Sequence, residues 1–138
     1  MTRINAYIEP FELTDQHLLA EIRELPRVFN TIKSGKAVIK NIPENFSLNQ
    51  GHVKFFYDKL KYLVQRHKDL VSEAEKRCFN VLNYSNSYTE LPNELFNDWK
   101  PNLIVREILK ERINERLQGM KNLRYNRQPV EFTNIKIK

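Results

Sequence analysis

The apolar residues of this chain recur at helical spacing in three separate stretches, and that repetition limits the fold more than any other feature. In the first stretch Leu18, Ile22, Leu25, Phe29 and Ile32 follow at intervals of four, three, four and three, which is one stripe on one helix. Thr14 supplies an N-cap, Asp15 an acid in the first turn and Gly35 a stop signal. The second stretch, 51–78, places Val53, Phe56, Leu60, Leu63, His67, Leu70 and Ala74 on one face and charged residues on the other. The third begins after Pro101, a residue common at helix starts, and ends at Gly119. Its apolar side holds Ile104, Val105, Ile108, Leu109, Ile113 and Leu117. Between the second and third lies 81–99, rich in Asn, Ser and Pro, which reads as a loop with a short helical turn at 93–96. The terminal VEFTNIKIK fits an edge strand or coil. Three helices, long connections and no clear sheet predict an all-α fold. A length of 138 residues suits one domain, 1–138, around one core.

No run of about 18 apolar residues is present, so no membrane-spanning helix is expected. The opening MTRINAYIEPFEL lacks the apolar run of a signal peptide. Cys78 is the only cysteine, which excludes an intrachain disulfide and leaves too few thiols for a zinc site. A reducing, cytoplasmic setting is the expectation. The formal charge of +6 suggests an anionic partner, most often nucleic acid. That charge is unevenly placed: 112–138 carries seven Lys/Arg against two Glu, while Glu90, Glu94 and Asp98 make the preceding stretch acidic.

Pro26 sits inside the first apolar stripe, where it removes a backbone donor and crowds the carbonyl four residues earlier at a cost of roughly 3 kcal/mol. Something local must compensate for it, or the bend must be useful. On the polar face around it, Glu24 lies between Arg23 and Arg27, with His17 and Gln16 about two turns earlier. Two readings share this spacing. One is a solvated helix face with intrahelical ion pairs, each worth under about 1 kcal/mol. The other is a carboxylate set among arginines that grip phosphates in forked geometry.

Three blocks of sequence bear on that choice. They are MTRIN at the N-terminus, DQHLLAEIRELPRVF at 15–29, and GHVKFFYDKLKYL with the following RHKDLVSEAEKRCFNV at 51–81. In these blocks the chain resembles the phage endonuclease V family, the pyrimidine-dimer DNA glycosylases with AP-lyase activity. The resemblance implies an all-α domain with its N-terminal segment threaded between helices. It implies a nucleophile at the α-amine of Thr2, exposed when Met1 is removed, and an essential carboxylate at Glu24. Arg3, Arg23 and Arg27 fall at the family's phosphate-binding arginines, and Gln16 and His17 at positions that contact DNA near the lesion. Arg112 matches a family arginine, and Arg116 stands where the family has a lysine. Lys121, Arg124 and Arg127 extend the basic surface. The family's C-terminal Trp-Tyr pair is replaced by Leu123 and Arg124, and Tyr125 is the candidate for part of its role. Cys78 stands where the family has a glycine near a helix end.

The implied partner is double-stranded DNA carrying UV lesions or abasic sites, met by a monomer that needs no metal and no cofactor. Pro26 would then set a bend that points the Glu24 face at DNA, and Lys33, Lys36 and Lys40 would form a phosphate-facing strip. An AP lyase or glycosylase for another lesion, and a non-catalytic DNA-binding protein on the same fold, remain as alternative readings. His67 is expected to be a satisfied core histidine, Phe55, Phe56 and Tyr57 to be core, and Tyr84 and Tyr88 to be candidates for touching DNA. His52 is assigned no role.

Overall fold

The computed structural model describes residues 3–138. Its helices are α1 (Asp15–Glu24), α2 (Pro26–Lys33), α3 (Gly51–Phe55), α4 (Leu60–Lys76), α5 (Leu103–Gln118) and α6 (Phe132–Ile135). Short 3₁₀ turns lie at Pro10–Glu12, Ser85–Tyr88 and Asn93–Leu95, and one antiparallel hairpin pairs β1 (Arg124–Tyr125) with β2 (Gln128–Pro129). The expected all-α architecture is therefore present. One apolar core joins the N-terminal segment to the helices and the tail, from Ile4 through Leu18, Phe56 and Leu109 to Ile137. No helix among the described residues is long and apolar enough to cross a membrane.

The first predicted helix is bent into two. Thr14 caps α1, its hydroxyl accepting the His17 N–H at 3.2 Å. Gly35, at φ 77°, follows the end of α2 as expected. Leu25 keeps helical dihedrals (φ −56°, ψ −42°) although the following proline disfavours them. Pro26 offers no N–H to the Ile22 carbonyl four residues back. That carbonyl instead accepts from His67 Nε2 on α4 at 3.0 Å. With its proton on Nε2, His67 presents bare Nδ1 to the Tyr88 hydroxyl, which donates to it. His67 is 1% exposed, and burial holds its pKa below the ordinary value, so it stays neutral in this role. The compensation that Pro26 requires thus comes from a side chain 45 residues along the chain from the Ile22 carbonyl it satisfies.

The second predicted helix is broken. Phe56 leaves α3 with φ −88°, ψ −4°, and α4 starts after Lys59 at φ −126°, ψ 41°. Adjacent residues on one helix point about 100° apart, yet Phe55 and Phe56 are both buried and both meet Trp99, at 5.1 and 5.5 Å between rings. Both rings join one aromatic cluster at the end of α3, just before the break. The end of α4 is a Schellman motif: Phe79 N–H donates to the Ala74 carbonyl and Cys78 N–H to that of Glu75. Cys78 holds the left-handed position, φ 65°, that glycine normally fills.

On α5 the buried stripe is narrower than predicted. Val105, Leu109, Ile113 and Leu117 are buried, but Ile104 is 69% and Ile108 37% exposed. The helix packs through one thin face at the edge of the core. It begins after Pro101 as expected, and its cap is Asn102, which accepts the Val105 N–H at 3.0 Å. The tail, expected as strand or coil, forms the one-turn α6 and docks on α5 by paired hydrogen bonds between Asn114 and the Ile137 backbone.

Candidate active site and nucleic-acid interface

The N-terminal segment runs between helices and is clamped there. Arg3 Nη1 donates to the Leu48 carbonyl at 3.0 Å, and Ile4 N–H donates to His52 Nε2 at 2.9 Å. The Asn5 backbone and side chain both donate to the Glu21 carboxylate, at 3.3 and 2.9 Å. Glu21 is also held in a fork by Arg66, through Nε at 2.9 Å and Nη2 at 3.0 Å, and Arg66 Nη1 reaches the Ile8 carbonyl at 2.5 Å. Both partners are buried. Burial alone would lower the Arg66 pKa; the Glu21 charge and hydrogen bonds outweigh it and raise it. A pair so enclosed is costly to break, about 3–5 kcal/mol when one partner is removed.

This clamp brings the segment to the rim of a partly open cavity of about 230 Å³. Arg3, Gln16, His17, Glu24, Arg112 and Arg116, six of the residues predicted from sequence, line it together with Asn5 and Glu21. They come from three parts of the chain: the N-terminal segment, one face of α1, and α5, where Arg112 and Arg116 stand one turn apart. Burial, together with the nearby charges of Arg112 and Arg116, lowers the pKa of Arg3. The cavity therefore concentrates positive charge, with Glu24 as the carboxylate not engaged in the Arg66 fork. A larger groove of about 770 Å³ lies beside α4, lined by Lys61, Lys68 and Lys100 together with Glu9, Asp69 and Asp98; its one arginine, Arg66, is committed to Glu21.

His17 Nδ1 bonds the Thr14 hydroxyl at 3.1 Å. Burial, aided by Arg116 and opposed by Glu21, lowers its pKa, so it enters the site uncharged near neutral pH. The Glu24 side chain is 21% exposed and lies 4.0 Å from Arg27, which is 60% exposed. Such a long, open pair leaves both groups available for other partners. Arg23 is exposed; neither it nor Arg27 lines the cavity. Thr2, the predicted nucleophile, lies outside the described residues.

The predicted residues of the C-terminal tail stand beside the cavity rather than in it. Asn126 and Arg127, at φ 51° and 68°, make the left-handed turn that suits a two-residue hairpin. The Asp15 carboxylate accepts both of their N–H groups, at 3.0 and 2.7 Å, and also takes Arg77 at 2.9 Å. Gln16 fixes the same hairpin through the Asn122 carbonyl at 2.6 Å and the Arg124 N–H at 3.1 Å. Tyr125 donates to the Phe11 carbonyl at 2.6 Å and lies under Arg77, 4.1 Å from its ring. Lys121 and Arg124 are exposed nearby, and Leu123 is buried.

The chain matches the family model described as pyrimidine dimer DNA glycosylase over residues 1–84 of its 138. The chain belongs to this family. Its business is therefore DNA repair by glycosylase action on DNA with pyrimidine dimers. The match spans the N-terminal segment and α1, which furnish most of the cavity wall, and α4, whose Arg66 holds Glu21 behind it. Arg112 and Arg116 of this glycosylase lie beyond the matched region.

Several contributors were missed in the sequence. Glu21 falls three residues after Leu18, on the core-facing side of α1, and Arg66 lies between Leu63 and Leu70 on that of α4. Opposite charges at two core-facing positions are the signal that identifies such a pair. His52 is a full member of the clamp. Tyr84 and Tyr88, proposed for DNA contact, instead pack on His67, at 5.3 and 5.5 Å between rings. Lys33, proposed for the phosphate strip, donates to the Asn86 carbonyl at 2.6 Å.

Proposed function

We propose that this glycosylase works through the α-amine of Thr2 and couples base removal to an AP-lyase step. An α-amine has a pKa near 7.7–8.0, so roughly a tenth or more is neutral at pH 7 without a buried lysine. The neutral amine attacks C1′ of the damaged nucleotide, and the glycosidic bond breaks with its electron pair leaving on the base. The sugar ring then opens at the C1′–O4′ bond, O4′ takes a proton, and a protonated imine joins Thr2 to C1′. The imine acidifies the C2′ proton. Loss of that proton and departure of the 3′ phosphate by β-elimination cut the strand. Glu24 stabilises the cationic intermediate and carries the protons. Arg3, Arg112 and Arg116 hold the phosphates beside the reacting sugar, and Arg23 and Arg27 hold the strand further along α1 and α2. Gln16, His17, Lys121, Arg124 and Tyr125 complete the DNA-facing surface of a monomeric, single-domain enzyme.

The observation that carries this reading is the meeting of Glu24 with three arginines in the cavity at which the clamped N-terminal segment arrives. Substitution Glu24→Gln tests it. The variant is expected to bind abasic duplex with unchanged affinity and to cleave it on the order of 10²-fold or more slowly. Cleavage at the normal rate would make Glu24 a surface residue and overturn the assignment.

A further inference from the structure

His52 serves no purpose in the chemistry above, yet it is 2% exposed and its two ring nitrogens have opposite tasks. Its Nδ1 lies 2.9 Å from the Ser47 carbonyl, which can only accept, so Nδ1 carries the proton. Nε2 is then a bare acceptor, and it takes the Ile4 N–H at 2.9 Å. Phe46 and Phe56 pack edge-on against the ring, at 5.3 and 5.5 Å, and fix its plane. Burial pushes its pKa down to about 4, so the acceptor is present throughout the neutral range.

The position of this bond in the clamp sets it apart. Asn5 and Ile8 are secured to Glu21 and Arg66, and those bonds keep the segment between the helices. Ile4 lies on the other side of Asn5, two residues from Thr2. Arg3, between Ile4 and Thr2, is tied through its long side chain to the Leu48 carbonyl, whereas the Ile4 bond is made by the backbone itself, so its loss leaves the segment docked but loosens the direction of the main chain that leads to Thr2. We propose that His52 is a positioning residue for the nucleophile: by accepting the Ile4 amide proton it fixes the direction in which the chain delivers the Thr2 amine to Glu24. This rests on the Thr2 reading above.

Three substitutions separate the two nitrogens. His52→Gln sets an amide oxygen near the Nε2 position and keeps an acceptor for Ile4. His52→Asn retains a donor toward Ser47 but is too short for Ile4. His52→Phe keeps the aromatic packing and offers neither. Each is mixed at saturating concentration with abasic duplex and borohydride, and the rate of covalent trapping is measured beside the DNA Kd and the thermal midpoint. The Gln variant is expected within about threefold of the wild-type rate. The Asn and Phe variants are expected to trap on the order of 10–100-fold more slowly with Kd unchanged, the penalty of a misdirected reacting group. Wild-type rates in the Asn and Phe variants would overturn the proposal. Failure of the wild type to trap through its N-terminus would instead remove the Thr2 reading. A test without variants is the long-range proton–nitrogen NMR spectrum of His52 in the native protein. It should show protonated Nδ1 and bare Nε2; a proton on Nε2 contradicts the proposal even if the variants do not fold.

Discussion

Replacing His67 with Leu should leave the Ile22 carbonyl without a partner at the α1–α2 bend. Ile22 is 2% exposed, so water cannot replace the lost donor. An unsatisfied buried acceptor costs about 1–3 kcal/mol. The Tyr88 hydroxyl loses its acceptor as well, but Tyr88 is only half-buried and can turn toward water, so its share is smaller. Together the loss is expected at about 2–4 kcal/mol. Pro26→Ala changes this selectively. It restores a backbone N–H four residues after Ile22, in position to satisfy the same carbonyl once His67 is gone. Alone, Pro26→Ala adds a second donor to a carbonyl already satisfied and shifts stability little. In the His67→Leu background it should recover about 1–2 kcal/mol. Urea unfolding of the four proteins, with equal m-values as the control for two-state behaviour, gives the coupling directly. Effects that add within about 0.3–0.5 kcal/mol would refute the idea that His67 compensates for the proline.

Three further outcomes follow from the same geometry. Cys78→Gly relieves the left-handed residue at the end of α4 and should raise stability by about 0.5–1 kcal/mol, seen as a higher thermal midpoint; no rise would mean the Schellman turn holds Cys78 without strain. Acid should weaken the fold through His52: the unfolded imidazole takes a proton near pH 6.5 and the folded one only near pH 4, so stability is full above 6.5 and falls by about 3 kcal/mol as pH drops to 4. That part of the pH dependence should vanish in the His52→Phe variant, and its persistence there would assign it elsewhere. Arg112→Ala should weaken binding to undamaged and abasic duplex alike and lower the slope of log Kd against log salt by about one; an unchanged slope would remove Arg112 from the phosphate contacts.

The readable parts of the sequence were those settled within a few residues. The Thr14 cap, the Gly35 stop and the four-three stripe of α1 and α2 are local, and each stands where spacing put it. The family likeness singles out Arg3, Gln16, His17, Glu24, Arg112 and Arg116 one by one, and the fold brings these six to one cavity. What escaped depends on distant partners. The aromatic cluster at the split between α3 and α4 is completed by Trp99, 44 and 43 residues beyond Phe55 and Phe56. The C-terminal hairpin is too short to register as a pattern and is held by Asp15, at the far end of the chain. His67 fits an apolar stripe equally well with or without the Ile22 carbonyl, so its task was invisible until α4 lay against the bend.

The central claim is that the N-terminal amine performs the chemistry. Its most direct test is borohydride trapping on two duplexes, one carrying a single thymine dimer and one a single abasic site, with the attachment point of the covalent product mapped by mass spectrometry. The account predicts trapping on both, through Thr2 of protein that has lost Met1, and none after the N-terminal amine is blocked. Trapping through a lysine, or active protein that retains Met1, would contradict it.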